Sequence, residues 1–289
     1  MTTAAQWWQG ARPRTLAISV APVLVGTAAA STEHTVIWWR AVASLVVAVA
    51  LQVGVNYAND YSDGVRGTDR ERRGPLRLTA SGVASPESVR NAAALSFGLA
   101  AVVGLIVAIV VSPWLLLVGV AAIAAAVLYT GGPRPYGYEG LGEIAVLAFF
   151  GFAATAGSTF VQLHRVPGIA WWASLAMGLP ACAILLANNI RDVETDRVVG
   201  KRTVAVRVGA LHARRLFVVC VAGAFVAVVV IGISRPPALL GLVALPLAGR
   251  PTRTVLTRSE PPALVRALLD TTRLELVLGI LLAVGLALS

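Results

Sequence analysis

Apolar residues do not alternate with polar ones along this chain. They cluster in long runs separated by short polar loops, the pattern of helices that cross a bilayer. Nine such runs are read at residues 15–31, 40–60, 90–111, 114–131, 141–162, 170–190, 213–233, 237–250 and 271–288. They predict an all-α, polytopic membrane protein of about nine transmembrane helices, with residues 1–289 forming one domain. The eighth run is short of the roughly 20 residues a span needs, so an extension toward Leu256 or an irregular, tilted segment is expected there. Pro22, Pro180 and Pro246 fall inside runs, which membrane helices accommodate where neighbours satisfy the freed backbone groups. The run Leu16 to Ala30 lacks a cleavage pattern after it and reads as a retained helix.

Composition agrees. The chain is 57% hydrophobic and 13% charged, which excludes an ordinary soluble domain. Cys182 and Cys220 both lie within apolar runs, as reduced core residues would. The net charge of +10 could suggest a nucleic-acid partner, but its placement says otherwise. With the N-terminus in the cytoplasm, only Arg40, Arg165 and Arg235 fall on the far side, leaving 21 of 24 basic residues in cytoplasmic loops. The charge is therefore a topology signal, with no nucleic acid implied, and it predicts a multi-pass protein of the cytoplasmic membrane. Tryptophans at 7, 8, 38, 39, 114, 171 and 172 stand near run ends, where interfacial anchors belong.

Carboxylates break the apolar pattern in two places. Of six aspartates, five lie in or just after the segments Asn56–Asp63 and Asn188–Asp196. Asn56, Asp60 and Asp63 are spaced by four and three residues, and Asn188, Asp192 and Asp196 by four and four, so each set forms a helical stripe. Charge placement puts both stripes at cytoplasmic helix ends. Ionised aspartates cost about 2.5–3.5 kcal/mol each at a helix centre and repel one another, and divalent cations would relieve both problems. Basic loops follow, with Arg66, Arg72, Arg73 and Arg77 after the first stripe and Arg197, Lys201 and Arg202 after the second. Acids beside bases suit a Mg²⁺-bound diphosphate, with aspartate on metal and arginine or lysine on phosphate. The alternative is that the acids pair with these arginines as plain salt bridges.

These residues resemble the UbiA superfamily of intramembrane prenyltransferases. Further strings resemble its 1,4-dihydroxy-2-naphthoate polyprenyltransferase branch: Ala11–Leu16, Ala21–Thr27, Gly67-Thr-Asp69, Leu78–Gly82, Tyr129–Pro133, Gly140–Glu143 and Gly200–Thr203. The resemblance implies a nine-helix bundle around a central cavity open to lipid. It implies that Asp60, Asp63, Asp192 and Asp196 are the catalytic, Mg²⁺-binding acids, with Asn56, Asn59 and Asn188 nearby. Tyr61, Arg66, Asp69, Arg72, Lys201 and Arg202 are further candidates for the diphosphate and substrate. One departure stands out. Asp63 follows Asp60 by three residues where the superfamily's usual step is four.

The implied reaction transfers a polyprenyl chain from its diphosphate to 1,4-dihydroxy-2-naphthoate, with loss of carboxylate, giving demethylmenaquinol. Alternatives within the class are 4-hydroxybenzoate, homogentisate or another acceptor. From another class, a cation- or proton-coupled transporter would place its acids near the bilayer midplane.

Overall fold

The computed structural model describes residues 2–33, 36–67 and 76–289, and these are helical or in turns, without a strand. Asp69 and Arg72 lie outside the described residues. Helix α1 (Ala4–Gly10) starts at a capping box in which Thr3 and Gln6 exchange hydrogen bonds. Arg12 then takes a left-handed conformation with φ of 57° ahead of Pro13, and the chain turns into α2 (Ala17–Ser31). The segments Ala4–Thr15 and Ala17–Ser31 meet at 52°.

Helix α3 (Trp38–Arg66) carries the first acidic stripe and stops at Gly67, whose φ of 73° closes the last turn. Helix α4 (Pro86–Val110) opens on a Ser85 cap with proline in its first turn, and α5 (Trp114–Leu128) follows. The next span runs from Gly142 to Leu163 in three pieces: α6 (Gly142–Val146), a π-helical stretch Leu147–Ala156, and α7 (Gly157–Leu163). At the wide turn Gly151 presses against Gly178, where an added Cβ would sit 3.0 Å from the glycine Cα.

Helix α8 (Gly168–Arg191) leads into the second acidic stripe, continued by short α9 (Val193–Val198) and α10 (Val204–Val208). Then come α11 (Ala210–Ser234), a 3-10 segment Pro236–Ala244, α12 (Pro246–Thr257) and α13 (Pro261–Ala287). The expected irregularity of the eighth run is this 3-10 piece joined to α12. Among the described residues five helical segments are long and apolar enough to cross a membrane, six if the bent N-terminal pair forms one span.

Lipid and protein faces separate clearly. Two-thirds of the apolar window of α8 is buried (67%), against 28% for α3 and α4, so α8 is the central post. It packs through small side chains, with Ala170, Ala173, Ala176, Gly178, Ala181, Ala183 and Ala187 all buried. Elsewhere backbones touch directly: a Cβ on Gly26 of α2 would lie 2.1 Å from the Thr155 carbonyl. A second, smaller cluster joins α3 and α4 through Tyr57, Leu78, Val89 and Phe97. Large apolar side chains such as Leu95, Ile109, Val120 and Ile233 stand exposed, as on a surface that faces hydrocarbon. Trp38 and Trp114, at helix starts, are each 73% exposed. The chain is a multi-pass membrane protein.

Candidate active site

A cavity of about 910 Å³ enters the bundle, lined along α3 from Ser44 to Asp63. At 1.5 Å per residue those positions span about 28 Å, close to the thickness of a bilayer's hydrocarbon core. The cavity changes character along that length. Toward one end stand Leu115, Phe160, Val166 and Trp171, with Phe149, Phe150 and Phe152 of the π-helical stretch along the wall. At the other end Asn56, Asn59, Asp63, Asn188, Asp192, Asp196 and Lys201 share the lining with Arg12, Arg77 and Tyr138.

The first stripe is rotated from the expected one. Asp60 is not among the lining residues. Its two oxygens accept the backbone N–H groups of Leu78 (2.8 Å) and Thr79 (2.9 Å), which clamps the 78–84 turn onto α3. The cavity-facing row is Gln52, Asn56, Asn59 and Asp63, at steps of four, three and four. The Asn-to-Asp step of four that the sequence suggests for Asn56 and Asp60 therefore falls, inside the cavity, on Asn59 and Asp63. The apparent departure in spacing belongs to Asp60, which faces the loop.

Asp63 is 3% exposed and meets Tyr138, Lys201 and Arg77 among the described residues. The Tyr138 hydroxyl donates to Oδ1 at 2.5 Å, Lys201 Nζ lies 3.5 Å from the same oxygen, and Arg77 lies 4.0 Å from Oδ2. Lys201 also sits over the Tyr138 ring, 4.5 Å from its centroid. Arg66 approaches that ring at 5.7 Å but spends its guanidinium on the carbonyls of Thr130 and Gly132, outside the cavity lining. Thr130 in turn donates to Asn59 at 2.8 Å. The Arg202 N–H donates to the Tyr138 carbonyl at 2.7 Å, so Arg202 contributes backbone here while its side chain is exposed. Residues 129–140 thus stitch the first stripe to the loop after the second.

In the second stripe Arg191 holds both partners, donating to Asp192 at 2.5 and 2.6 Å and to Asn188 at 2.8 Å. Asp192 ends α8 with φ −97° and ψ 5°, so the step to Asp196 crosses a break, yet both face the cavity. The Asp196 carbonyl accepts the Lys201 N–H at 2.8 Å and shapes the basic loop. Asn189 donates to Glu143 at 2.9 Å, which ties α6 to α8 beside the cavity.

Other expected residues serve elsewhere. Asn56 donates to the Ala11 carbonyl at 2.8 Å and so fixes the Arg12 turn as well as lining the cavity. Tyr61, an expected substrate group, packs against the Tyr57–Leu78 cluster and lies outside the lining. Tyr136 lines the cavity and donates to the Ala125 carbonyl at 2.9 Å. Burial pushes its phenol up to about 12, so it stays protonated at neutral pH. Sequence reasoning missed Tyr138, and used Arg12 as a topology marker and within the Ala11–Leu16 string but not as a site residue. The signal for Arg12 was present in Ala11-Arg-Pro, since the residue before a proline is barred from continuing a helix.

Among the described residues no three acidic, histidine or cysteine side chains converge into a metal cage. The donors present are the hard oxygens of Asp63, Asp192 and Asp196 with neutral asparagines, all on one cavity. That set suits Mg²⁺, which is held by one or two carboxylates together with substrate phosphates.

A helical membrane bundle with an acidic and basic end to an apolar cavity is built to hold an amphiphilic anion. The comparisons place it: the chain belongs to the UbiA prenyltransferase family, whose model matches residues 19–274. It is 46% identical to the 1,4-dihydroxy-2-naphthoate octaprenyltransferase of Mycobacterium tuberculosis, over 99% of this chain and 98% of that protein. The enzyme of the same name from Escherichia coli is 35% identical over 98% and 95%. The fold matches the UbiA homolog from Aeropyrum pernix K1 with a TM-score of 0.69 at 17% identity, covering 94% of this chain and 97% of that one. It matches the Archaeoglobus fulgidus homolog bound to GPP and Mg²⁺ with a TM-score of 0.66 at 13% identity, covering 98% and 100%.

Proposed function

We propose that the protein transfers a polyprenyl chain from polyprenyl diphosphate to 1,4-dihydroxy-2-naphthoate, yielding demethylmenaquinol after loss of the carboxylate. The observation that carries the reading is the polarity of the cavity. One end gathers Asp63, Asp192 and Asp196 with Lys201, Arg12 and Arg77, the remainder is an apolar sleeve, and the two together run about one hydrocarbon core in length. The full-length similarity to naphthoate octaprenyltransferases supports this acceptor over 4-hydroxybenzoate or homogentisate.

In this reading the sleeve takes the prenyl tail and the polar end takes the diphosphate. Asp63 on one side, with Asp192 and Asp196 on the other, would hold Mg²⁺, and Asn59 and Asn188 would orient phosphate oxygens without adding charge. Mg²⁺, when bound, neutralises charge that builds on the departing diphosphate. Lys201, Arg77 and Arg12 do the same from the protein, as fixed charges aimed at the leaving group. The allylic C–O bond breaks, an electron-rich ring carbon of the naphthoate forms the new C–C bond, and the dry sleeve shields the cationic fragment from water. The aromatic rings of Phe149, Phe150 and Phe152 face the same space. Asp60 acts through the loop it clamps.

Nine membrane passes, an N-terminus in the cytoplasm and a diphosphate end on the cytoplasmic side of the cell membrane complete the proposal. The basic-residue asymmetry and the helical segments that coincide with all nine apolar runs support it. The test is an acceptor panel. Purified protein with Mg²⁺, a labelled polyprenyl diphosphate and each acceptor in turn should give a prenylated quinol by mass spectrometry with the naphthoate. Prenylation of 4-hydroxybenzoate or homogentisate in preference to it would overturn the assignment.

A further inference from the structure

A second cavity, of about 600 Å³, lies away from the active site against α12, lined by Arg250, Arg253, Thr254, Thr257 and Arg258 with Gly249. The positions 250, 253, 254 and 257 share one helical face, and Arg258 follows at the C-cap. The opposite face buries Ala248, Pro251 and Val255 against the bundle. The groove is thus the outward side of an amphipathic helix.

Two of its three cations, Arg253 and Arg258, are not consumed by the fold. At the C-terminal end of α12 Arg214 of α11 donates to the carbonyls of Val255 and Arg258 and to Ser259 Oγ at 2.9 Å. Arg250 lies 3.5 Å from Asp270, an acid it shares with Arg273 at 3.4 Å. Arg253 and Arg258 make no ion pair among the described residues, and neither does nearby Glu260. The groove therefore offers an excess of positive charge with threonine hydroxyls beside it. Exposed Leu247 and Leu256 flank it on the same helix. The contact with Arg214, near the start of α11, sets the groove on the membrane side where the second acidic stripe ends.

We propose that this groove binds the phosphate headgroup of an anionic phospholipid from the leaflet on the active-site side, with its acyl chains along Leu247 and Leu256. Guanidinium groups match phosphate oxygens in paired hydrogen bonds, the Thr254 hydroxyl donates to a remaining oxygen while that of Thr257 stays on the Arg253 carbonyl at 2.8 Å, and the flanking leucines favour a lipid over a soluble phosphate. The site would hold α12 and α13 at a fixed depth in the bilayer.

The test uses full-length protein, stripped of co-purified lipid in neutral detergent, with fluorescent short-chain phosphatidylglycerol and phosphatidylcholine read by thermophoresis. Wild type should prefer phosphatidylglycerol by tenfold or more. Arginines near an anionic surface contribute about fivefold each, so Arg253→Gln with Arg258→Gln should weaken phosphatidylglycerol binding by about 30-fold and leave phosphatidylcholine binding unchanged. Thermal melting in phosphatidylcholine checks that the variant is folded; should it not be, Arg253→Gln alone must still lose about fivefold. Equal binding of the two lipids by wild type, or an undiminished preference in the variants, overturns the proposal. Competition by free glycerol 3-phosphate at equal potency would overturn it too, by making the site one for soluble phosphate.

Discussion

The Tyr138 hydroxyl donates to Asp63 Oδ1 at 2.5 Å, across 75 residues of sequence. The same ring supports Lys201, whose ammonium reaches that same carboxylate oxygen at 3.5 Å. One tyrosine thus orients both an acid of the first stripe and the base that follows the second. Partners of this kind, which fix the direction of a ligating carboxylate, change metal affinity or activity by about 10–100-fold when removed. Tyr138→Phe is expected to raise the Mg²⁺ activation constant and the donor KM about tenfold, with the naphthoate KM unchanged. Steady-state kinetics with each component varied in turn checks this, and a change confined to the naphthoate KM would contradict it.

Asp60 and Asp63 stand three residues apart and should fail differently. Asp60→Ala leaves the buried Leu78 and half-buried Thr79 N–H groups without their acceptor, at about 1–3 kcal/mol for the buried one and less for the other. It should lower the thermal midpoint in detergent clearly. Asp63→Asn should hold its midpoint within a few degrees and lose at least 100-fold in kcat/KM. A wild-type midpoint for Asp60→Ala would show that the Asp60 clamp carries no stability.

Lys201 tests the donor end by itself. As a point charge on phosphate, Lys201→Ala should raise the donor KM by tenfold or more and spare the acceptor KM. Lys201→Arg should recover part of the loss. An effect on the acceptor alone would move Lys201 away from the diphosphate.

Gly26 tests the packing. A Cβ there would sit 2.1 Å from the Thr155 carbonyl, a backbone atom that cannot step aside. Gly26→Ala should destabilise by about 1–3 kcal/mol through overpacking, read as a lower melting temperature. An unchanged midpoint would mean that α2 and the π-helical stretch can separate without cost.

Helix positions were legible in the sequence because hydrocarbon demands long apolar runs, and each run coincides with a helical segment. The second stripe was legible too, since Asn188, Asp192 and Asp196 reach one cavity even though α8 breaks at Asp192. The rotation of the first stripe was not. Helical periodicity allows Asn56–Asp60 and Asn59–Asp63 equally, and only the position of the 78–79 backbone decides which aspartate it captures. Tyr138 was invisible for a related reason. Its partners lie 75 and 63 residues away, beyond any local pattern. The π-helical wall depends on Gly151 meeting Gly178, a contact between two helices that neither helix announces.

The central claim is that the two stripes hold one donor, and a double-mutant cycle on donor affinity tests it most directly. A non-cleavable polyprenyl thiolodiphosphate would be titrated by calorimetry, with Mg²⁺, into wild type, Asp63→Asn, Asp192→Asn and the double variant. Groups that share a ligand couple by about 0.5–3 kcal/mol, so each single variant should lose at least tenfold and the double variant little more. Independent, multiplying losses, or a single variant with wild-type affinity, would contradict a donor shared between Asp63 and Asp192.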